Sequence, residues 1–313
     1  MFPLRVAEVT VSGGVTMRPR FPIWLAGVLL AVLAAGCSPL AALNATIPDD
    51  GYTASRNHAF GAHTRQKLDV YVPKIHRSPA PVVVFFYGGS WQRGNRGDYK
   101  FVAEALTSKG FVVVIPDYRL YPEVKFPTFL DDGAAAVTWV QNRIAVFGGD
   151  PRRVFVMGHS AGAYNAAMLA FDCRYIEAAG GKHADLAGFI GMAGPYDFLP
   201  FTSSTLEKVF GDAPDLPATQ PVNLVAVNSP RALVLYGEQD KTVLPGNSKR
   251  LAQRIRAVGG PVTEVGYPDL GHIEVLGVLA KPYRDRAPVL EEVTSFIEAG
   301  DTQFASSPAP APR

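Results

Sequence analysis

Cysteine is nearly absent, with two in 313 residues, Cys37 and Cys173. No Cys/His cluster has the spacing of a metal site, and no G-x-G-x-x-G or Walker loop offers a nucleotide site. Neither a metal nor any other cofactor is therefore expected. Excess charge of one sign is lacking too. Thirty Lys and Arg against 28 Asp and Glu leave a formal net charge of +2, and no basic run gives a nucleic acid anything to grip. Internal repeats and a second domain are also missing. Apolar side chains are plentiful: 48 % of residues are hydrophobic and 19 % charged, so a large buried core is available.

The N-terminus carries an export signature. Met17-Arg18-Pro19-Arg20 is a short basic start, and Phe21 to Ala35 is an uncharged apolar run of fifteen residues. A membrane-spanning helix needs about 20 such residues, whereas a signal-peptide core needs fewer. Ala34-Ala35-Gly36-Cys37 follows, similar to a bacterial lipoprotein cleavage box. Residues 1–36 are expected to be a lipoprotein-type signal peptide, with Met17 as an alternative start. Cys37 is expected to be lipidated, anchoring the chain in a membrane. Ser38 resembles the residue that sends such proteins to the outer membrane, facing the periplasm or the cell surface. Cys173 is then left without a disulfide partner. A polar spacer over 37–57, a catalytic domain over 58–300 and a disordered Pro/Ala/Ser-rich tail over 301–313 complete the expected layout.

Strand-like runs alternate with helix-like ones from Val82 to Ala299, the pattern of a mostly parallel, twisted central sheet with helices on both faces. Arg153 to Met157 is apolar and β-favouring, Ala161 to Phe171 is rich in small helix formers, and Gly158-His159-Ser160-Ala161-Gly162 joins them. A G-x-S-x-G between a strand and a helix is a nucleophile elbow, in which the serine occupies a strained turn and the glycines let backbone pass. A serine hydroxyl is protonated near neutral pH, so it needs a base, and the base needs an orienting acid. Asp240 follows the strand-like Leu233 to Gly237, and His272 follows the strand-like Val262 to Tyr267. Serine, acid, histidine, each beyond a strand, is the α/β-hydrolase order. Asp197 stays as an alternative acid, whereas Asp269 is too near His272 in sequence. His159 is expected to pack or hydrogen-bond, pointing away from the site. His58, His63, His76 and His183 are expected at the surface.

Acyl transfer builds negative charge on the carbonyl oxygen, which backbone N–H groups must meet. The apolar strand Val82 to Phe86 ends in Tyr87-Gly88-Gly89-Ser90-Trp91. Gly88, Gly89 and Ser90 therefore form the expected oxyanion loop, with the N–H of Gly89 or Ser90 acting alongside that of Ala161. Asp131-Asp132 is close enough for paired acid/base work, but it opens an expected helix over Asp132 to Ile144, where carboxylates serve as caps and dipole partners.

Taken together, these residues resemble carboxylesterases of the α/β-hydrolase superfamily, in the His-Gly-Gly-x-Trp or hormone-sensitive-lipase-like branch. That branch also holds isoprenylcysteine methylesterases and kynurenine formamidases. Asp117-Tyr118-Arg119-Leu120, Pro122-Glu123, Phe126-Pro127, Gly148-Gly149-Asp150-Pro151 and Gly237-Glu238-Gln239-Asp240 carry the resemblance, over roughly residues 58 to 298. Tyr87 replaces the motif histidine, a side chain that braces the loop rather than binding the oxyanion. The resemblance implies a serine carboxylesterase for short-chain, medium-chain or aryl esters. The segment between Asp197 and Pro230 is too short for a large lid, and Phe198, Leu199, Phe201 and Phe210 fit either an acyl pocket or the core. The alternatives are an amidase, formamidase or peptidase on the same triad, or a non-catalytic lipoprotein of this fold.

Overall fold

Val82 to Phe86 and Val112 to Ile115 are runs of β-branched and aromatic residues with no exposed side chain. Such runs suit strands covered on both faces, and each large side chain so buried contributes roughly 1.5–3 kcal/mol. The computed structural model describes residues 43–75 and 78–299. Its strands are β1 (Tyr52–Ala59), β2 (Lys67–Pro73), β3 (Ala80–Phe86), β4 (Val112–Pro116), β5 (Gly149–His159), β6 (Leu186–Met192), β7 (Ala232–Gly237) and β8 (Val262–Tyr267). They form one sheet in the order β1-β2-β4-β3-β5-β6-β7-β8. β2 runs antiparallel to both β1 and β4, and the other neighbours are parallel. This is the α/β-hydrolase fold.

Beyond a helical stretch at 43–45, the α-helices among the described residues are α1 (Lys100–Thr107), α2 (Thr128–Arg143), α3 (Ala161–Phe171), α4 (Cys173–Ala178), α5 (Ser204–Phe210), α6 (Pro221–Leu224), α7 (Gly246–Ala257), α8 (Glu274–Gly277) and α9 (Val289–Ala299). Successive strand residues face opposite sides of a sheet, and β6 shows which helices cover which. Phe189 packs on Phe171 of α3 with ring centroids 5.3 Å apart. Its neighbour Gly188 lies against Phe296 of α9, which also meets Phe155 of β5 at 6.2 Å. α3 and α9 therefore lie on opposite faces. Every residue of α3 is buried, as expected of a helix that is apolar all round.

Folded structure begins earlier than the expected boundary at residue 58. β1 pairs with β2 from Tyr52 onward, and Ile47 is already part of the core. The stretch 52–57 is sheet edge rather than spacer. Cys37, the expected signal segment 1–36 and the expected tail 301–313 lie outside the described residues, as does His76. Among the described residues no helix is long and apolar enough to cross a membrane.

Candidate active site

The strand order reverses direction beside β3. The chain leaves β3 for β4 on one side and returns to β5 on the other. In open α/β sheets the crevice beyond the C-terminal strand ends at such a switch point receives the ligand. Phe86 of β3 is level with Gly158 of β5, so the loop from Tyr87 to Trp91 and the turn at Ser160 emerge side by side there. Gly237 of β7 is level with Tyr267 of β8, bringing the next two loops to the same end of the sheet.

Ser160 joins β5 to α3 with φ 55° and ψ −125°, a conformation unfavourable for any residue with a side chain. Such a turn closes only if its neighbours are bare. A Cβ on Gly158 would lie 2.2 Å from the Gly162 carbonyl oxygen, and one on Gly162 would lie 2.0 Å from that of Phe86.

Three of the expected side chains converge at this turn. His272 Nε2 lies 2.9 Å from Ser160 Oγ, and His272 Nδ1 lies 2.7 Å from Asp240 Oδ2. A carboxylate only accepts, so Nδ1 carries the hydrogen and Nε2 is free to accept from the serine. Asp240 Oδ1 in turn accepts from the N–H groups of Thr242 (2.8 Å) and Val243 (2.9 Å). Burial alone would raise this carboxyl's pKa, but the bonds from His272 and the two backbone donors outweigh it and hold the group below its ordinary value. The other two acids stand apart. Asp197 is tied through its side chain and carbonyl to Arg250, and Asp269 is exposed.

Gly88 sits against the Ser160 turn, since a Cβ there would be 2.9 Å from Ser160 Cβ. Gly89, Ser90 and Trp91 follow with φ of 124°, 55° and 56°. The three together wind a left-handed turn closed by Gln92 N donating to Gly89 O at 3.0 Å. Ala161 is the first residue of α3, where a helix N–H has no partner within the helix.

Tyr87, in the place of the motif histidine, braces this loop from below. Its phenol accepts from Arg65 Nη2 and donates to Asp117 Oδ1, both at 2.8 Å. Its carbonyl accepts from Tyr118 Oη at 2.7 Å, and its ring stacks between Tyr99 and Tyr118 at 5.3 and 4.8 Å. Burial pushes the Tyr87 phenol well above its ordinary pKa, so it stays a donor. Asp117 also binds Arg96, which reaches Asp69. Trp91 is a packing residue: it is buried, its Nε1 donates to Asn165 Oδ1 at 2.9 Å, and its ring meets Phe129, Tyr164 and Phe210.

Asp131 and Asp132 lie inside the first turns of α2, which starts at Thr128 rather than Asp132. Asp132 is structural, but through a different bond than a cap. It takes the backbone N–H and guanidinium of Arg119, with Gln66 as a second donor residue. Phe210 belongs to the core, fully buried among Trp91, Phe126, Phe129 and Tyr164, while Phe198 and Phe201 stay half-buried. Leu199 is half-buried as well. His58, His63 and His183 sit at the periphery, bonded to Ser55, Glu123 and the Ala170 carbonyl.

His159 points toward the site region rather than away from it. Its Nε2 lies 2.8 Å from the His272 carbonyl oxygen. Sequence carried one signal for this: a histidine ending a buried strand must find a partner for its N–H. Burial, with the neighbouring His272, pushes the His159 pKa down to about 3. Unfolded, the same ring titrates near 6.5, so between those values the unfolded chain holds more protons and stability falls as pH falls. We expect this group to remove on the order of 4 kcal/mol between pH 7 and pH 3. Urea unfolding across that range should show wild type losing more stability than H159Q by about that amount; equal losses would contradict the assignment.

A family model described as BD-FAE matches residues 68–255, more than half of the chain. The chain belongs to the BD-FAE family. The BD-FAE match takes in the loop from Tyr87 to Trp91, Ser160 and Asp240, and ends before His272. Among curated relatives, a probable isoprenylcysteine alpha-carbonyl methylesterase of Arabidopsis thaliana is 26 % identical over 272 residues, covering 80 % of this chain and 57 % of the plant protein. Esterase LipC of Mycobacterium tuberculosis is 30 % identical over 249 residues, 71 % of this chain and 60 % of that one. This BD-FAE chain thus spans somewhat over half the length of either relative. Esterase B from Lactobacillus rhamnosis superposes with a TM-score of 0.74 at 20 % identity, covering 90 % of this chain and 98 % of the esterase. The thermostable carboxylesterase EstE1 gives 0.65 at 23 %, covering 83 % and 92 %. At those identities the likeness is one of fold.

Proposed function

We propose that this protein is a serine carboxylesterase whose nucleophile is Ser160, whose general base is His272 and whose orienting acid is Asp240. The observation that carries the reading is the unbroken run Ser160 Oγ, His272, Asp240, with links of 2.9 and 2.7 Å. In the first half-reaction Oγ attacks the ester carbonyl as His272 Nε2 takes its proton. Asp240 stabilises the imidazolium, and the N–H of Ala161 with that of Gly89 or Ser90, beside Gly88, receives the oxyanion. The imidazolium gives its proton to the departing alcohol, leaving an acyl group on Ser160. Water, deprotonated by His272, then releases the acid. The esterase names of both curated relatives support the reaction class.

The substrates proposed are short-chain, medium-chain or aryl esters, in keeping with a connection between β6 and β7 that holds only short helices and no large lid. A panel of nitrophenyl esters of rising acyl length, run beside anilide and formamide substrates, tests both bond and pocket. Faster cleavage of the amides would overturn the ester reading. Fluorophosphonate labelling tests the nucleophile, and a folded protein left unlabelled at Ser160 would overturn catalysis by this site. Asp240→Asn should keep the geometry while favouring the wrong imidazole tautomer. We expect kcat to fall by about 10³- to 10⁴-fold, measured on a nitrophenyl ester.

The export signature supports a second element of the proposal. Cys37 carries lipid and holds the catalytic domain at the outer membrane, facing the periplasm or the cell surface. Metabolic labelling with a radioactive fatty acid should mark the wild type and not Cys37→Ala, and the variant should leave the membrane fraction.

A further inference from the structure

His159 and His272 are paired more closely than the proton-transfer chain requires. His159 ends β5, is 4 % exposed, and lies with its ring centroid 4.8 Å from that of His272 at an interplanar angle of 43°. The His272 carbonyl can only accept, so His159 Nε2 holds the hydrogen of that 2.8 Å bond. The ring is neutral, which leaves Nδ1 bare. It faces the oxyanion loop, since a Cβ on Gly88 would lie 3.3 Å from it.

His272 sits in the turn between β8 and α8, whose backbone is tied elsewhere by Gln239 N to Leu270 O at 3.0 Å and Val275 N to Gly271 O at 3.4 Å. Neither bond reaches residue 272 itself. Its side chain must keep Nε2 within reach of Ser160 and of the leaving group while Nδ1 keeps Asp240. A displacement of about 1 Å at such a group can cost about 10²-fold in rate.

We propose that His159 is a positioning residue: by holding the backbone carbonyl of His272 it sets where the catalytic imidazole stands between Asp240 and Ser160. The inference rests on the roles given above to Ser160 and His272. Elbow and base loop are thereby one mechanical unit, joined through a bond from the residue next to the nucleophile to the residue that activates it.

H159Q and H159N separate a positioning role from packing. Glutamine carries its amide nitrogen about as far as imidazole Nε2, whereas asparagine reaches only the Nδ1 position. Two readouts are needed, kcat and KM on 4-nitrophenyl acetate and the NMR signal of the His272 Nδ1 proton, which a carboxylate partner moves far downfield. H159N should lower kcat by about 30- to 100-fold with KM within about threefold, and its downfield signal should broaden or vanish. H159Q should recover kcat to within about fivefold of wild type and keep the signal. Should H159N fail to fold, H159F, which fills similar space without a donor, replaces it with the same expectation. An H159N kcat within about threefold of wild type overturns the inference. So do equal losses in H159N and H159Q with the downfield signal intact, which would mark a packing role. Failure of the functional reading looks different: wild type itself would take no fluorophosphonate at Ser160.

Discussion

Ser160→Ala is expected to lower kcat on a nitrophenyl ester by about 10⁴- to 10⁶-fold while KM changes little. The oxygen removed is the atom that forms the acyl bond, and no second hydroxyl accompanies it in the bonded run of Ser160, His272 and Asp240. Ser160→Ala/His272→Ala should be no worse than the single variant within about tenfold, because groups that act as a unit lose their effect together. Turnover left over would come from the oxyanion loop and binding. Stability should hardly move, since alanine inherits the φ of 55° without relieving it. A purified Ser160→Ala protein keeping more than about 1 % of wild-type kcat would refute the assignment of the nucleophile.

Gly162→Ala should be the most damaging substitution for the fold. The added Cβ would meet the carbonyl oxygen and carbon of Phe86 at 2.0 and 2.4 Å and the Tyr87 oxygen at 2.5 Å. All three are backbone atoms, so no rotamer change clears them. α3 would have to lift from β3 where β3 hands over to the loop from Tyr87 to Trp91. The expected loss exceeds about 4 kcal/mol, read as a lower urea midpoint or as failure to accumulate soluble protein. Gly277→Ala is the control: nothing lies within 4 Å of its added Cβ and its φ is not positive, so it should be neutral or gain up to about 1 kcal/mol. Gly162→Ala within about 1 kcal/mol of wild type would contradict the close approach of α3 to β3.

The parts of the molecule that were legible in the sequence are those where one local rule decides the answer. Val262 to Tyr267 and Ala161 to Phe171 form the strand and helix that their patterns call for, because tertiary packing and intrinsic preference agree there. Chain order alone placed Ser160, Asp240 and His272 at one end of the sheet. β1 was illegible for a physical reason. Tyr52–Ala59 is an edge strand with most side chains partly or fully exposed, so its sequence (YTASRNHA) has no apolar run and reads as spacer. Asp132 shows the limit of local reasoning in another way. Its partner Arg119 lies in the loop before α2, and a carboxylate near a helix start cannot announce whether it caps that helix or binds a cation arriving from elsewhere. The direction of His159 is not legible locally, because it depends on a loop more than a hundred residues downstream.

The loops after β3, β5, β7 and β8 supply every group assigned to the reaction, and the long connection after β6 supplies none. Residues 198–208, none of them buried, therefore form the part of the molecule whose sequence can be exchanged while the chemistry and the core around Phe210 are left alone. Loop grafting or combinatorial libraries aimed at that stretch, with Asp197 and its Arg250 anchor kept, offer the direct engineering route to new acyl preferences on an unaltered reaction centre.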